Sequence, residues 1–118
     1  MKNIALISII FFTTLTFAQK ERSLELNKST NLIDVVYYHD NGEVSQTGSY
    51  TKDGKLQGEW LSFNINGTKT VSATYDQGKK VGKWFYWTDK ILKEVDYTSN
   101  AIASVNEWSN TSSVAFQE

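Results

Sequence analysis

Short runs in which apolar and polar residues alternate, separated by breaks that carry glycine or asparagine, fill most of this chain. The runs cover 32–38, 44–50, 59–65, 70–75, 83–87 and 91–97, with a weaker seventh at 103–108. In the fourth, Val71, Ala73 and Tyr75 share one face while Thr70, Ser72 and Thr74 share the other, which is the two-residue period of a strand. Val44 and Tyr50 oppose Ser45, Thr47 and Ser49 in the same way, and Ile91, Val95 and Tyr97 oppose Glu94 and Asp96. No run follows a helical period, and proline, which interrupts ladders, is absent. Asn41-Gly42 and Asn66-Gly67 predict tight type I′ hairpin turns, which need positive φ at both central residues. Asp53-Gly54 and Gln77-Gly78 mark the opposite hairpin ends. The pattern predicts an all-β protein, a single antiparallel meander sheet.

Two runs depart from one-sided alternation. Trp84 and Tyr86 lie on one face of theirs, with Phe85 and Trp87 on the other, and Trp60 opposes Leu61 and Phe63. Strands apolar on both faces are more than a sheet with one solvated face requires.

The same runs repeat. Trp60, Trp84 and Trp108 stand 24 residues apart, and a fixed period of this length marks a stack of supersecondary units. Tyr50-Thr-Lys-Asp-Gly54-Lys-Leu-Gln-Gly58-Glu-Trp60 is matched by Tyr75-Asp-Gln-Gly78-Lys-Lys-Val-Gly82-Lys-Trp84. The stretch Tyr97 to Trp108 is a degenerate third copy, with Asn106 at the offset held by Gly58 and Gly82. Asparagine is the non-glycine residue that best tolerates left-handed backbone, so a positive φ is expected there too. The reading is a stack of β-hairpin repeats of about 24 residues.

These motifs, with the aromatic-x-x-Asn-Gly segments Phe63 to Gly67 and Tyr38 to Gly42, resemble the MORN repeat in its bacterial variant form. The resemblance covers about 37–108 and implies an elongated, twisted sheet of stacked hairpins. In relatives the pattern is linked to membrane attachment, protein scaffolding and dimerisation. The family is also catalogued as an antitoxin type, which implies as an alternative an immunity-like protein that neutralises a partner toxin.

Ahead of the repeats, Lys2, the apolar run 4–12 and the small residues Thr16 and Ala18 follow the three-part pattern of a secretory signal. Cleavage is expected between Ala18 and Gln19, leaving a polar linker at 19–31, repeats at 32–108 and a polar tail at 109–118. A secreted protein in the periplasm or outside the cell follows. The chain has no cysteine, which excludes disulfides and lipid anchoring through an N-terminal cysteine. Loss of Lys2 takes the formal net charge from −1 to −2, a balance that argues against nucleic acid, whose binding rests on a basic patch.

Catalytic chemistry finds little to work with. His39 is the only histidine and is read as a turn residue, because a general base needs oriented partners. Asp40, Asp53, Asp76 and Asp89 recur near turns, where carboxylates bond backbone N–H groups. No cofactor and no metal are expected. Lys52, Lys55, Lys79, Lys80 and Lys83 are read as charges that guard a sheet edge, with contact to a membrane surface unsupported by them. The acceptor-type triplets at Asn27, Asn66 and Asn110 are set aside, because such triplets arise by chance.

What remains is aromatic. Equivalent positions in successive hairpins lie two strands, ~9.5 Å, apart. That spacing predicts a row of Trp60, Trp84 and Trp108, a second of Phe63 and Trp87, and a third of Tyr50, Tyr75 and Tyr97. The candidate binding residues are Trp60, Phe63, Trp84, Tyr86, Trp87 and Trp108. The repeat signature is Tyr50, Gly54, Gly58, Tyr75, Gly78, Gly82, Tyr97 and Asn106. A non-enzymatic binding or scaffolding module follows, whose partner is a protein, an envelope component or a second copy of the chain. Intact-mass measurement of the exported protein should give a chain starting at Gln19, and one still starting at Met1 would contradict the signal reading.

Overall fold

The computed structural model describes residues 21–109. The signal segment, its junction at Ala18 and Gln19, and residues 110–118 of the expected tail lie outside the described residues. Among the described residues nine strands form one sheet: β1 (Ser23–Asn27), β2 (Leu32–Tyr38), β3 (Val44–Tyr50), β4 (Leu56–Phe63), β5 (Lys69–Asp76), β6 (Lys79–Lys80), β7 (Gly82–Trp87), β8 (Ile91–Thr98) and β9 (Ala101–Ser109). Neighbours in space are neighbours in sequence, save that β5 pairs with both the short β6 and β7, and all pairings are antiparallel. The predicted meander is present.

The expected linker at 19–31 is corrected over part of its length, because β1 pairs along β2 from Ser23↔Val36 to Asn27↔Leu32. Its alternation is only two apolar residues long, Leu24 and Leu26, too short to register against the charges around it. Asn27 turns the chain by accepting the backbone N–H groups of Ser29 and Thr30 at 2.9 and 3.2 Å.

The turns also differ from expectation. At Asn41-Gly42 and Asn66-Gly67 only the glycine has positive φ, 93° and 91°. Gly42 N–H bonds His39 O, and His39 N–H bonds Glu43 O; Asn64, Gly67 and Thr68 repeat the arrangement, as do Thr51, Gly54 and Lys55. These are longer loops in which a four-residue turn is followed by a left-handed glycine. Asparagine acts here through its side chain: Asn41 Oδ1 accepts Glu43 N–H, and Asn64 Oδ1 accepts the N–H groups of Asn66 and Thr68. Two consecutive left-handed residues occur instead at Gln77-Gly78 (φ 53° and 84°) and Ser99-Asn100 (φ 49° and 74°). Each of those turns docks on the hairpin before it, with Gly78 N–H on Leu56 O and Asn100 N–H on Lys80 O, both 2.9 Å.

One irregularity recurs with the repeat. Between the pairs Thr47↔Leu61 and Ser49↔Gln57, Gly48 alone faces Gly58, Glu59 and Trp60. Between Ser72↔Phe85 and Tyr75↔Lys80, two residues of β5 face four, among them Gly82 and Trp84. Each bulge contains a left-handed glycine, Gly58 at φ 77° and Gly82 at φ 67°, and bulges of this kind bend and twist a strand. The buried apolar residues are Val35, Trp60, Ala73, Trp84 and Val95, with Tyr37, Tyr50, Leu56, Val71, Tyr75, Tyr86 and Tyr97 packed against them. By alternation and register all of these lie on one face of the sheet, here the inner face.

Asn106 does not join the glycines. Its φ is not positive, and it pairs in regular register with Glu94. The bulge of β9 lies earlier, at Ala103 between Tyr97↔Ile102 and Asp96↔Ser104, and its single extra residue carries Trp108 to the outer face. At Gly82 an added Cβ would meet no atom closer than Thr74 Cβ at 4.0 Å, so the constraint is the backbone conformation itself. Gly82→Val should therefore lower stability by roughly 1–3 kcal/mol. Gly82→Asn should cost clearly less, since Asn31 and Asn100 already sit at φ 65° and 74°. Thermal melts compare the two, and equal losses would show that side-chain crowding, not φ, sets the requirement.

Candidate functional site

The inner face carries a continuous ladder of rings. Tyr50 meets Trp60 at 5.1 Å between centroids, Trp60 meets Tyr75 at 6.4 Å, Tyr75 meets Trp84 at 5.2 Å and Trp84 meets Tyr97 at 5.1 Å. All four contacts are edge-to-face, the arrangement that ring quadrupoles favour. Each indole is also tied to the sheet: Trp60 Nε1–H donates to Ser49 O and Trp84 Nε1–H to Thr74 O, both at 3.1 Å. A Cβ built on Gly48 would collide with the Trp60 ring, so the indole lies directly on glycine backbone. That seat leaves Trp60 only 3% exposed and Trp84 5%. Lys80 closes the ladder from above, its Nζ 5.1 Å from the Trp84 and Tyr97 rings.

The phenol groups respond to this packing. Burial pushes Tyr86 up to about 12, helped by the neighbouring Tyr97. Burial likewise raises Tyr75. Tyr50 is raised chiefly by its hydrogen bond with Tyr37, the two hydroxyl oxygens being 2.9 Å apart, while Arg22 pulls the other way.

The outer face is divided. Asp34 accepts Asn27 Nδ2–H at 3.0 Å and Ser49 Oγ–H at 2.8 Å, and Lys83 bridges Glu94 at 2.8 Å and Asp96 at 3.5 Å. The hydrogen bond from Lys83 to Glu94 is the main cause that raises the lysine above its ordinary value. Beside the 39–43, 64–68 and 88–90 loops the same face turns apolar. Register places Phe63 opposite Lys69, Trp87 opposite Leu92, and Leu92 opposite Trp108. Lys69 Nζ lies 5.1 Å over the Trp87 ring, and Phe85 stacks on that ring at 5.9 Å. A strip of Phe63, Lys69, Trp87, Leu92 and Trp108 thus crosses five strands, and its outermost ring, Trp108, is 46% exposed.

The candidate residues are therefore split. Trp60, Trp84 and Tyr86 belong to the inner face, and Phe63, Trp87 and Trp108 to the outer strip. Trp108 leaves the row expected of the three tryptophans, because a one-residue bulge at Ala103, between Tyr97↔Ile102 and Asp96↔Ser104, shifts the alternation and puts it on the opposite face from Trp60 and Trp84. Tyr50, Tyr75 and Tyr97 do line the inner face as the spacing predicts. His39 is tied into the stack, its Nε2 2.9 Å from Phe63 O. A carbonyl only accepts, so this nitrogen carries the proton. Gly48, Lys69 and Leu92 were not singled out from sequence, and Lys80, read there as an edge charge, instead lies over two rings of the ladder; the offset of Gly48 before Tyr50 is the signal for the Trp60 seat.

The chain matches no family model, no characterised protein and no solved structure among those it was compared with.

Because Tyr86 has a higher pKa folded than unfolded, the folded state holds its proton more firmly. The stability this gives is complete below 10.0 and is lost as pH rises through the folded value of about 12. Melting temperature should fall across that interval, and Tyr86→Phe should flatten the fall. Thermal melts paired with tyrosinate absorbance test this, and an unchanged slope in Tyr86→Phe would remove Tyr86 as its source.

Proposed function

We propose that this protein is a secreted, non-enzymatic β-repeat module of MORN-like type, and that it binds a partner protein or another envelope component through its outer aromatic strip. The observation that carries this reading is the strip itself. The inner face holds the buried core, so Phe63, Trp87, Leu92 and Trp108 are apolar without being needed there. Contiguous apolar patches on a folded surface mark interaction sites, and Trp and Tyr with cationic neighbours are the side chains most often used as anchors. On β7 and β8 the outer face nearer the opposite turns holds Lys83, Glu94 and Asp96 in ion pairs, so on these strands the apolar residues gather at the strip's edge. The motif resemblance of 37–108 supports a scaffolding role over a catalytic one.

Capture from the envelope fraction of the source cells, with the wild type beside Phe63→Ser/Trp108→Ser and Trp84→Ser variants, tests the reading. The strip variant is expected to lose the captured species while melting within a few degrees of wild type, whereas Trp84→Ser should unfold. Retention of the captured species by the strip variant would rule out the strip as the contact surface.

A further inference from the structure

The ladder of rings stops one position short at its first end. His39 and Asn64 open equivalent turns 25 residues apart, and that offset maps Tyr75 onto Tyr50, Ala73 onto Gly48 and Trp60 onto Val35. Val35 is buried, but it has no ring to lay against the free side of Tyr50. The residue across the strand from it, where Trp60 has the Gly48 seat, is Leu24. A hollow of about 310 Å³ opens there, lined among others by Arg22, Leu24, Ile33, Tyr37, Tyr50 and Lys52.

Three properties of this hollow point the same way. It is lined by the aliphatic Leu24 and Ile33 and by the hydrogen-bonded phenols of Tyr37 and Tyr50, of which Tyr50 already meets one indole, Trp60. Its rim carries two cations, Arg22 and Lys52, neither of which has an ion-pair partner among the described residues. The nearest turn carboxylate, Asp53, is engaged by Thr51 Oγ–H and lies near Lys55. Leu24 is 52% exposed, so its side chain is open to a ring placed above it.

We infer that this hollow is a binding site for a small planar aromatic carboxylate. Its ring takes the place of the absent indole against Tyr50 and over Leu24 and Ile33, and its carboxylate meets Arg22 and Lys52. Edge-to-face contact with Tyr50 orients the ring, and charge-assisted hydrogen bonds from a guanidinium and an ammonium select the anion over neutral aromatics. The site is on the inner face at the β1 end, remote from the outer strip, so it stands or falls independently of the function proposed above.

Titration of the isotope-labelled mature protein with indole-3-acetate, followed through backbone amide shifts, tests the assignment, with indole alone and acetate alone as the other arms. Saturable shifts are expected at Leu24, Ile33, Tyr37 and Tyr50 to Gly54, with indole and acetate each binding about tenfold more weakly or worse. Arg22→Ala/Lys52→Ala should weaken indole-3-acetate about tenfold, and Leu24→Asp should abolish binding. All three positions are exposed, so melting should stay near wild type. Absence of saturable shifts at these residues up to the solubility limit overturns the inference. So does indole binding as tightly as the acid, or binding unaffected by the double substitution.

Discussion

The structure depends on how an indole can be buried on a single sheet. Among the described residues no element lies opposite the sheet, so the covering of its apolar face comes from side chains lying along it. Trp60 does this by resting on the smallest residue available, Gly48, and both Trp60 and Trp84 turn their N–H groups to backbone oxygens, those of Ser49 and Thr74. A buried indole N–H needs a partner, and an unmet one costs about as much as a hydrogen bond contributes. The seat and the bond together fix where each ring lies. The tyrosines then close both sides edge-on.

This geometry requires the bulges. β9 has no such bulge beside its tryptophan; its single extra residue, Ala103, instead moves Trp108 to the other face. The two extra residues opposite Gly48 and in β7, each group with a left-handed glycine, change the local twist so that the ring folds down over the preceding hairpin. The turns reinforce the stacking. Gly78 and Asn100 reach back to Leu56 and Lys80, while His39 reaches forward to Phe63 at the opposite edge. These bonds tie neighbouring hairpins at both edges of the sheet.

The two faces acquire different characters as a result. Folding consumes the inner aromatics, and the outer ones remain as a strip beside the loops. The stack also ends unevenly. β1 is five residues long with Glu25 at its middle, the short charged form that discourages pairing at an edge. β9 is nine residues long, exposed throughout, with Ile102 and Val105 continuing the inner face into solvent. At the β1 end the ring ladder breaks off where Val35 stands in the place of a tryptophan.

Much of this was legible in the residues themselves. Alternation in 70–75 and 91–97 determined the strands and which of their residues face inward, because the two-residue period is local; in 44–50 it failed at Val44, which a bulge at Ser45 places opposite Tyr38 on the outer face rather than beside Tyr50. The spacing of Gly58 and Gly82 before their tryptophans determined that both are left-handed, since a recurrent glycine at a recurrent offset has few other physical causes. Register decided the rest. Asn106 sits at the same offset in sequence, yet only the pairing of β8 with β9 shows that no bulge forms there and that Trp108 belongs to the other face. The strand at 23–27 was hidden because its two leucines gain a face only against β2. The Asn-Gly turns misled because the dipeptide fits both a two-residue turn and a longer loop, and loop length is set by how many residues the flanking strands leave unpaired. Local chemistry determines what a residue is able to do, and pairing across the sheet determines which of those options the fold can use.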